Sequence, residues 1–224
     1  MAHEFCEIIR CMKIGVFDSG IGGEAVARDL RVAFPDAEIM TVSDRKNLPY
    51  GLKTSVQIKQ FVDDALQPLL KKPCDVIVIA CNTATTIALP TLRDRYPEQK
   101  FIGIEPMIKP AATMTRSGII CICATPATLA SIRYNELKTN YASAITIIEP
   151  DCSDWAMMIE DNTINEERIR SQINEAISHG ADVIVLGCTH YHWIKELIES
   201  IAGEQADVIE PTGSIVARIK QLAR

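Results

Sequence analysis

Residues 76–86 read VIVIACNTATT, and far downstream residues 183–191 read VIVLGCTHY. Each stretch is a short β-branched run, closed by one small residue (Ala80 or Gly187), then a cysteine, then an amphipathic segment. Continuous apolar runs of this length that feed helical patterning are the mark of strands buried in a parallel sheet. Cys81 and Cys188 therefore fall at strand-to-helix junctions. In open α/β sheets such junctions border the ligand crevice, where the helix start offers free N–H groups and a positive dipole end. A thiol there is favoured as the thiolate. Most buried cysteines are small hydrophobes and nothing more. Here, however, Asn82, Thr83, Thr85 and Thr86 follow one cysteine and Thr189 and His190 the other, polar groups that an apolar packing position would leave unsatisfied at a cost. The pair points to one shared site with a base on either side.

The same rhythm extends outward in both directions. Strands are predicted at 13–17, 38–43, 75–80, 100–104, 118–124, 144–149, 183–187 and 207–209. Helices are predicted at 22–34, 56–70, 82–96, 106–115, 127–137, 154–161, 165–179, 191–201 and 213–223. Strand and helix alternate throughout, with no Pro/Gly/Ser-rich linker between the halves. The expected fold is α/β: two similar doubly wound parallel-sheet lobes with the active site in the crevice between them. The first lobe is expected to comprise residues 12–104 plus 211–224, the second 105–210, with 1–11 as an N-terminal extension.

With 224 residues, 47% of them hydrophobic, the chain can bury a sizeable core, and its net charge of -6 argues against nucleic acid or an anionic membrane as partner. A small-molecule substrate fits better. No apolar run reaches the length of a membrane span, and residues 1–11 carry Glu4, Glu7 and Arg10 without an apolar signal core, so the cytoplasm is the expected compartment. Eight cysteines scattered through strand-like runs, with no CxxC, read as reduced thiols rather than as a disulfide frame or a zinc set. Cys121 and Cys123 alternate along one strand and should face the same side.

The remaining informative stretch is IGVFDSGIGG, residues 14–23. Its glycines between a strand and a helix could cradle a phosphate, but Asp18 inside the turn would repel one, and the spacing is not that of a dinucleotide fingerprint. Asp18 and Ser19 suit gripping an amino group or orienting a base; alternatively, one of them only caps the helix.

Taken together, IGVFDSGIGG, the Pro49-Tyr50-Gly51 turn, ACNTATT, IGIEP at 102–106, ATPAT at 124–128 and LGCTHY at 186–191 resemble, in order, the pattern of glutamate racemases of the cofactor-independent aspartate/glutamate racemase superfamily. The resemblance covers nearly all of the chain after Met12. It implies interconversion of L- and D-glutamate, supplying D-glutamate for peptidoglycan, with no cofactor, no metal and a homodimeric assembly. It implies Cys81 as the base toward D-glutamate and Cys188 as the base toward L-glutamate, assisted by Asp18 and His190 respectively. Asp18, Ser19, Tyr50, Gly51, Asn82, Thr83, Thr189 and His190 resemble substrate contacts. Glu160 resembles a site-associated glutamate, or is a solvated helix-end carboxylate beside Asp161. The chain departs from the family at Glu24, at His192 and at Glu210-Pro211-Thr212, which bears on glutamate against aspartate preference. The alternatives are an aspartate or broad-specificity racemase of the same superfamily, or a racemase-like binding or regulatory protein without turnover.

Overall fold

The computed structural model describes residues 12–222; the extension 1–11 and the last two residues lie outside them. Two four-stranded parallel sheets carry the fold. In the first, β1 (Lys13–Asp18), β2 (Glu38–Ser43), β3 (Val76–Ile79) and β4 (Phe101–Gly103) lie in the order β2-β1-β3-β4. In the second, β5 (Ile119–Cys123), β6 (Thr146–Ile148), β7 (Val183–Leu186) and β8 (Asp207–Ile209) repeat that order as β6-β5-β7-β8. All pairings are parallel.

Helices cover both faces of the first sheet, so the central strands are buried on both sides and strand parity sorts the side chains. Val76, Val78 and Ala80 join Val16, Val26 and Leu30 on one face. Ile77, Ile79 and Cys81 join Phe17, Ile58, Val62 and Leu66 on the other. The second sheet repeats the arrangement, with Ile184, Leu186 and Cys188 on one face and Val183 and Val185 on the other. Each site cysteine, two residues past the strand end, thus keeps its strand's parity. Cys121 and Cys123 share a face as expected, their sulfurs 3.9 Å apart.

The helices of the first sheet are α1 (Gly22–Ala33), α2 (Ser55–Leu70) and α3 (Asn82–Arg95). α2 begins at Ser55 because Thr54 and Gln57 form a reciprocal capping box. After α4 (Ile108–Met114), the helix expected over 127–137 is two, α5 (Pro126–Leu129) and α6 (Ile132–Tyr141). The break falls at Ser131, whose hydroxyl accepts the Tyr134 N–H and starts a new helix. α7 (Trp155–Glu160) and α8 (Glu166–Ser178) follow. The helix expected from Tyr191 is likewise revised: Thr189–Ile194 is a 3₁₀ segment that leads into α9 (Lys195–Ala202). No described helix is long and apolar enough to cross a membrane.

The closing helix α10 (Thr212–Leu222) returns to the first sheet, where Ile215 and Ile219 pack in the cluster of Val16, Val78 and Ile102. Ile219 is fully buried. Replacing it with alanine is expected to lower stability by about 2–5 kcal/mol, read as a shift of the urea midpoint with an unchanged slope. A loss of under about 0.5 kcal/mol, the size of a surface substitution, would show that α10 does not contribute to this core.

Candidate active site

In both sheets the chain passes from the edge strand back across the first strand before continuing, so a crevice opens between β1 and β3 and another between β5 and β7. Four strand ends meet at these openings. Asp18 ends β1, Cys81 follows β3, Thr125 follows β5 and Cys188 follows β7. The two cysteines occupy equivalent places in the two sheets.

Hydrogen bonds tie the strand ends into one network. Asp18 accepts the Thr189 hydroxyl at 2.7 Å through Oδ2 and the Gly20 N–H at 2.8 Å through Oδ1. Ser19 Oγ lies 3.4 Å from Cys81 Sγ, which also accepts the Ala84 N–H at 3.4 Å at the start of α3. Across the crevice, Cys188 Sγ lies 3.7 Å from His190 Nδ1, and the other ring nitrogen lies 2.7 Å from Glu160 Oε1. That same oxygen accepts the Ile21 N–H at 2.6 Å, while Glu160 Oε2 accepts from Arg45 at 3.0 Å. The glycines of the 18–23 turn permit this closeness: a Cβ at Gly20 would overlap the Glu160 carboxylate, and one at Gly22 would sit 2.6 Å from Thr189 Oγ1.

The surroundings of the two thiols are opposite in sign. Burial, with the Asp18 charge beside it, pushes the Cys81 thiol up to about 12, against the stabilising bonds from Ser19 and Ala84. Burial likewise raises the Asp18 carboxyl above its ordinary value, more than the nearby His190 and its own hydrogen bonds lower it. Around Cys188 a cation forms instead. Burial alone would lower His190, but its bonds to Cys188 and Glu160 and the Asp18 charge outweigh this and raise it to about 10. Burial opposes ionisation of Glu160 too, yet the bonds from His190 and the Ile21 N–H, with Arg45 beside them, leave its pKa lowered. The resting site is thus a Cys81 thiol near an acid, and Cys188 beside an imidazolium–carboxylate pair.

Of the residues singled out in the sequence, Asp18, Ser19, Cys81, Cys188, Thr189, His190 and Glu160 lie in this network. Glu160 is no solvated helix end: its side chain is 3% exposed. Asn82 is buried with both amide atoms unpartnered. Thr83 Oγ1 stands 2.9 Å from Thr125 Oγ1 and 3.1 Å from Thr128 Oγ1, a hydroxyl triangle that joins the lobes. Gly51 approaches Thr125 so closely that a Cβ would lie 2.8 Å from it. Tyr50 donates to Asp44 at 2.7 Å, and burial together with that bond holds its phenol protonated. Two departures lie outside the network: Glu24 reaches Arg31 at 3.5 Å, and His192 lies 3.7 Å from Glu210. Among the described residues, no group of three or more His, Cys, Asp or Glu side chains is arranged to hold a metal ion.

Sequence reasoning passed over Asp44, Arg45, Thr125 and Thr128. A threonine before proline is an N-cap signal, and Thr125 indeed accepts the Thr128 N–H. Asp44 and Arg45 had no local signal beyond lying in a charged loop.

Comparison with known proteins places the whole chain. The family model for Asp/Glu/hydantoin racemase matches residues 24–219. A glutamate racemase of Ectopseudomonas mendocina is 36% identical over 209 residues, 92% of this chain and 79% of the relative. One of Herpetosiphon aurantiacus is 37% identical over 212 residues, 93% and 83% of the two chains. Among solved structures, Escherichia coli glutamate racemase in complex with L-glutamate and the activator UDP-MurNAc-Ala superposes with a TM-score of 0.86 at 27% identity, covering 95% of this chain and 82% of that one. The Francisella tularensis glutamate racemase in complex with D-glutamate gives 0.77 at 27%, covering 94% and 80%.

The charged His190 has a consequence for stability. Its folded value of about 10 exceeds the 6.5 of a free imidazole, so the stability it contributes is fully present below pH 6.5 and is lost as pH rises through about 10. In urea unfolding, the stability gap between the parent and His190→Asn should therefore narrow over that window. A gap constant from pH 6.5 to 10 would show that His190 is not held as the cation.

Proposed function

The chain belongs to the Asp/Glu/hydantoin racemase family, and from that premise we propose that it interconverts L- and D-glutamate by proton transfer between Cys81 and Cys188. The observation that carries this reading is the pair of cysteines at equivalent strand ends, joined by one polar network and given opposite electrostatic surroundings. Racemisation removes the α-proton from one face of the amino acid and returns a proton to the other, so it needs two acid/base groups on opposite sides of a planar carbanion-like species.

In the L-to-D direction Cys188, as thiolate, takes the α-proton, and the Cys81 thiol delivers its own proton to the opposite face. One C–H bond breaks and another forms. The negative charge moves from one sulfur to the other. The raised pKa of Cys81 keeps its proton available for delivery, and the His190 imidazolium stands 3.7 Å from the Cys188 sulfur that does the abstraction. In the D-to-L direction the roles reverse. Asp18 and His190 exchange protons with their respective sulfurs, and Glu160 keeps His190 charged and oriented.

The substrate must also be held, and its developing charge stabilised, by preorganised donors. Asn82 has an amide donor and acceptor buried without partners, which suits one carboxylate and the ammonium of a bound amino acid. Ser19 and the N–H groups at the start of α3 add further donors, while the Thr189 hydroxyl, donating to Asp18, leaves its lone pairs as acceptors. The hydroxyls of Thr83, Thr125 and Thr128 beside Gly51 suit the second carboxylate. By the same family reading, the D-glutamate serves peptidoglycan synthesis and the protein works in the cytoplasm as a homodimer, with no metal and no cofactor.

The test is to incubate the purified protein with L-glutamate in deuterated water, with no cofactor and with chelator present. Optical rotation should decay to zero while deuterium enters the α-position. Unchanged rotation with no loss of the α-proton would overturn the assignment, and turnover of aspartate in preference to glutamate would reassign the substrate.

A further inference from the structure

One half-exposed side chain outside the groups assigned above also reaches across the crevice. Trp193, 48% exposed, lies three residues beyond His190 in the Thr189–Ile194 segment. Its indole N–H donates to the Ile21 carbonyl at 3.3 Å. The N–H of Ile21 is held at 2.6 Å by Glu160. Both backbone polar groups of one first-lobe residue are therefore reached from the second lobe, the N–H by a buried carboxylate and the carbonyl, which also accepts the Glu24 N–H at 3.1 Å, by an indole in contact with water.

Around Ile21 there is no slack, since neither Gly20 nor Gly22 has room for a Cβ against the second lobe. Beneath it, Asp18, Ser19, Cys81, Cys188, Thr189 and His190 are sealed, none more than 7% exposed. An amino acid reaches them only when contacts between the lobes part. The Thr189–Asp18 and Ile21–Glu160 bonds are short, buried and part-buried respectively, and made to carboxylates, so they are costly to break. The Trp193 bond is neutral, long and water-facing, so it parts first.

We propose that Trp193 is a positioning residue that latches the entrance of the crevice. The proposal rests on reading the crevice as the amino-acid site. With the latch closed, the indole N–H fixes the 19–22 turn and with it Ser19 Oγ against Cys81 Sγ. When the latch parts together with the Thr189–Asp18 and Ile21–Glu160 bonds, the turn moves away from the Thr189–Ile194 segment and both sulfurs open to solvent, so the indole bond adds its own free energy to the cost of opening. The function resides in the N–H, because the ring itself is half in water.

The experiment is site-resolved labelling of the full-length protein by iodoacetamide without substrate, with rates for Cys81, Cys188 and Cys74 read by mass spectrometry. Cys74 packs in the first-lobe core with its thiol directed to the Leu69 carbonyl, and serves as the internal control. A sealed thiol reacts through the open form, so its rate follows the opening equilibrium. Trp193→Phe removes the donor but keeps a ring; Cys81 and Cys188 should label about two- to tenfold faster, the loss of one modest hydrogen bond, with Cys74 unchanged. Trp193→His, which retains a ring N–H, should return both rates to within about twofold of the parent. Unchanged site labelling in Trp193→Phe, or equal acceleration at Cys74, overturns the latch. The readout needs no turnover: if the labelling pattern holds and the parent does not racemise glutamate, the latch stands and the substrate reading falls.

Discussion

The Glu160 carboxylate is the contact on which the rest of the site depends. It comes from the second lobe, yet it accepts the Ile21 N–H and an Arg45 N–H from the first, and it faces His190 at 2.7 Å. One buried group therefore does two things: it ties the 18–23 turn to the second lobe, and together with Cys188 and Asp18 it makes the charged form of His190 the favoured one. A buried ion pair gains little over an apolar replacement once desolvation is counted, but removing one partner strands the other, so the pair specifies one arrangement. Here that arrangement is an imidazolium beside Cys188. Remove the carboxylate, and only the Cys188 bond and the Asp18 charge would oppose the burial that favours a neutral ring.

The two sheets share a strand order, and their cysteines sit at matching positions, but the fold does not treat the thiols alike. Cys81 follows its strand into the N-terminus of α3, a source of N–H donors, yet burial and Asp18 dominate and keep it protonated. Cys188 opens only a 3₁₀ segment, and its favourable charge comes from a side chain instead. A helix start is therefore not sufficient to set a thiol's state: a neighbouring carboxylate and loss of water outweigh it. The asymmetry gives each sulfur a different resting role in what is geometrically a near-symmetric site.

Much of this was legible in the sequence. Apolar runs of four, such as Val183–Leu186, mark the buried strands directly, and their ends put Cys81 and Cys188 at strand-to-helix junctions, while parity sets Cys121 and Cys123 on one face. Errors came where local patterning competes with capping: Ser131 restarts a helix that periodicity would run straight through, and six residues after Cys188 wind as 3₁₀. The site was legible where chemistry is clustered along the chain, as at Asp18-Ser19 and Thr189-His190. It was not legible where a partner arrives from far away. Glu160 lies 139 positions from the Ile21 it holds, so the sequence leaves its burial open, and Thr125, 42 positions from Thr83, joins it only where the strand ends meet.

The central claim is that two thiols act from opposite faces of one substrate, and the most direct measurement of it is enantiomer preference in the single cysteine-to-serine variants. Serine is too weak an acid to deliver or take the proton near neutral pH, so neither variant should racemise glutamate. A glutamate bearing a leaving group on the β-carbon needs abstraction only, because elimination expels that group without proton delivery to the other face. On this substrate Cys188→Ser should process the D-form through Cys81, and Cys81→Ser the L-form through Cys188. The informative quantity is the reversal, since losses from groups acting as a unit do not add. The same enantiomer consumed by both variants, or near-parental racemisation by either, would contradict the paired-thiol account.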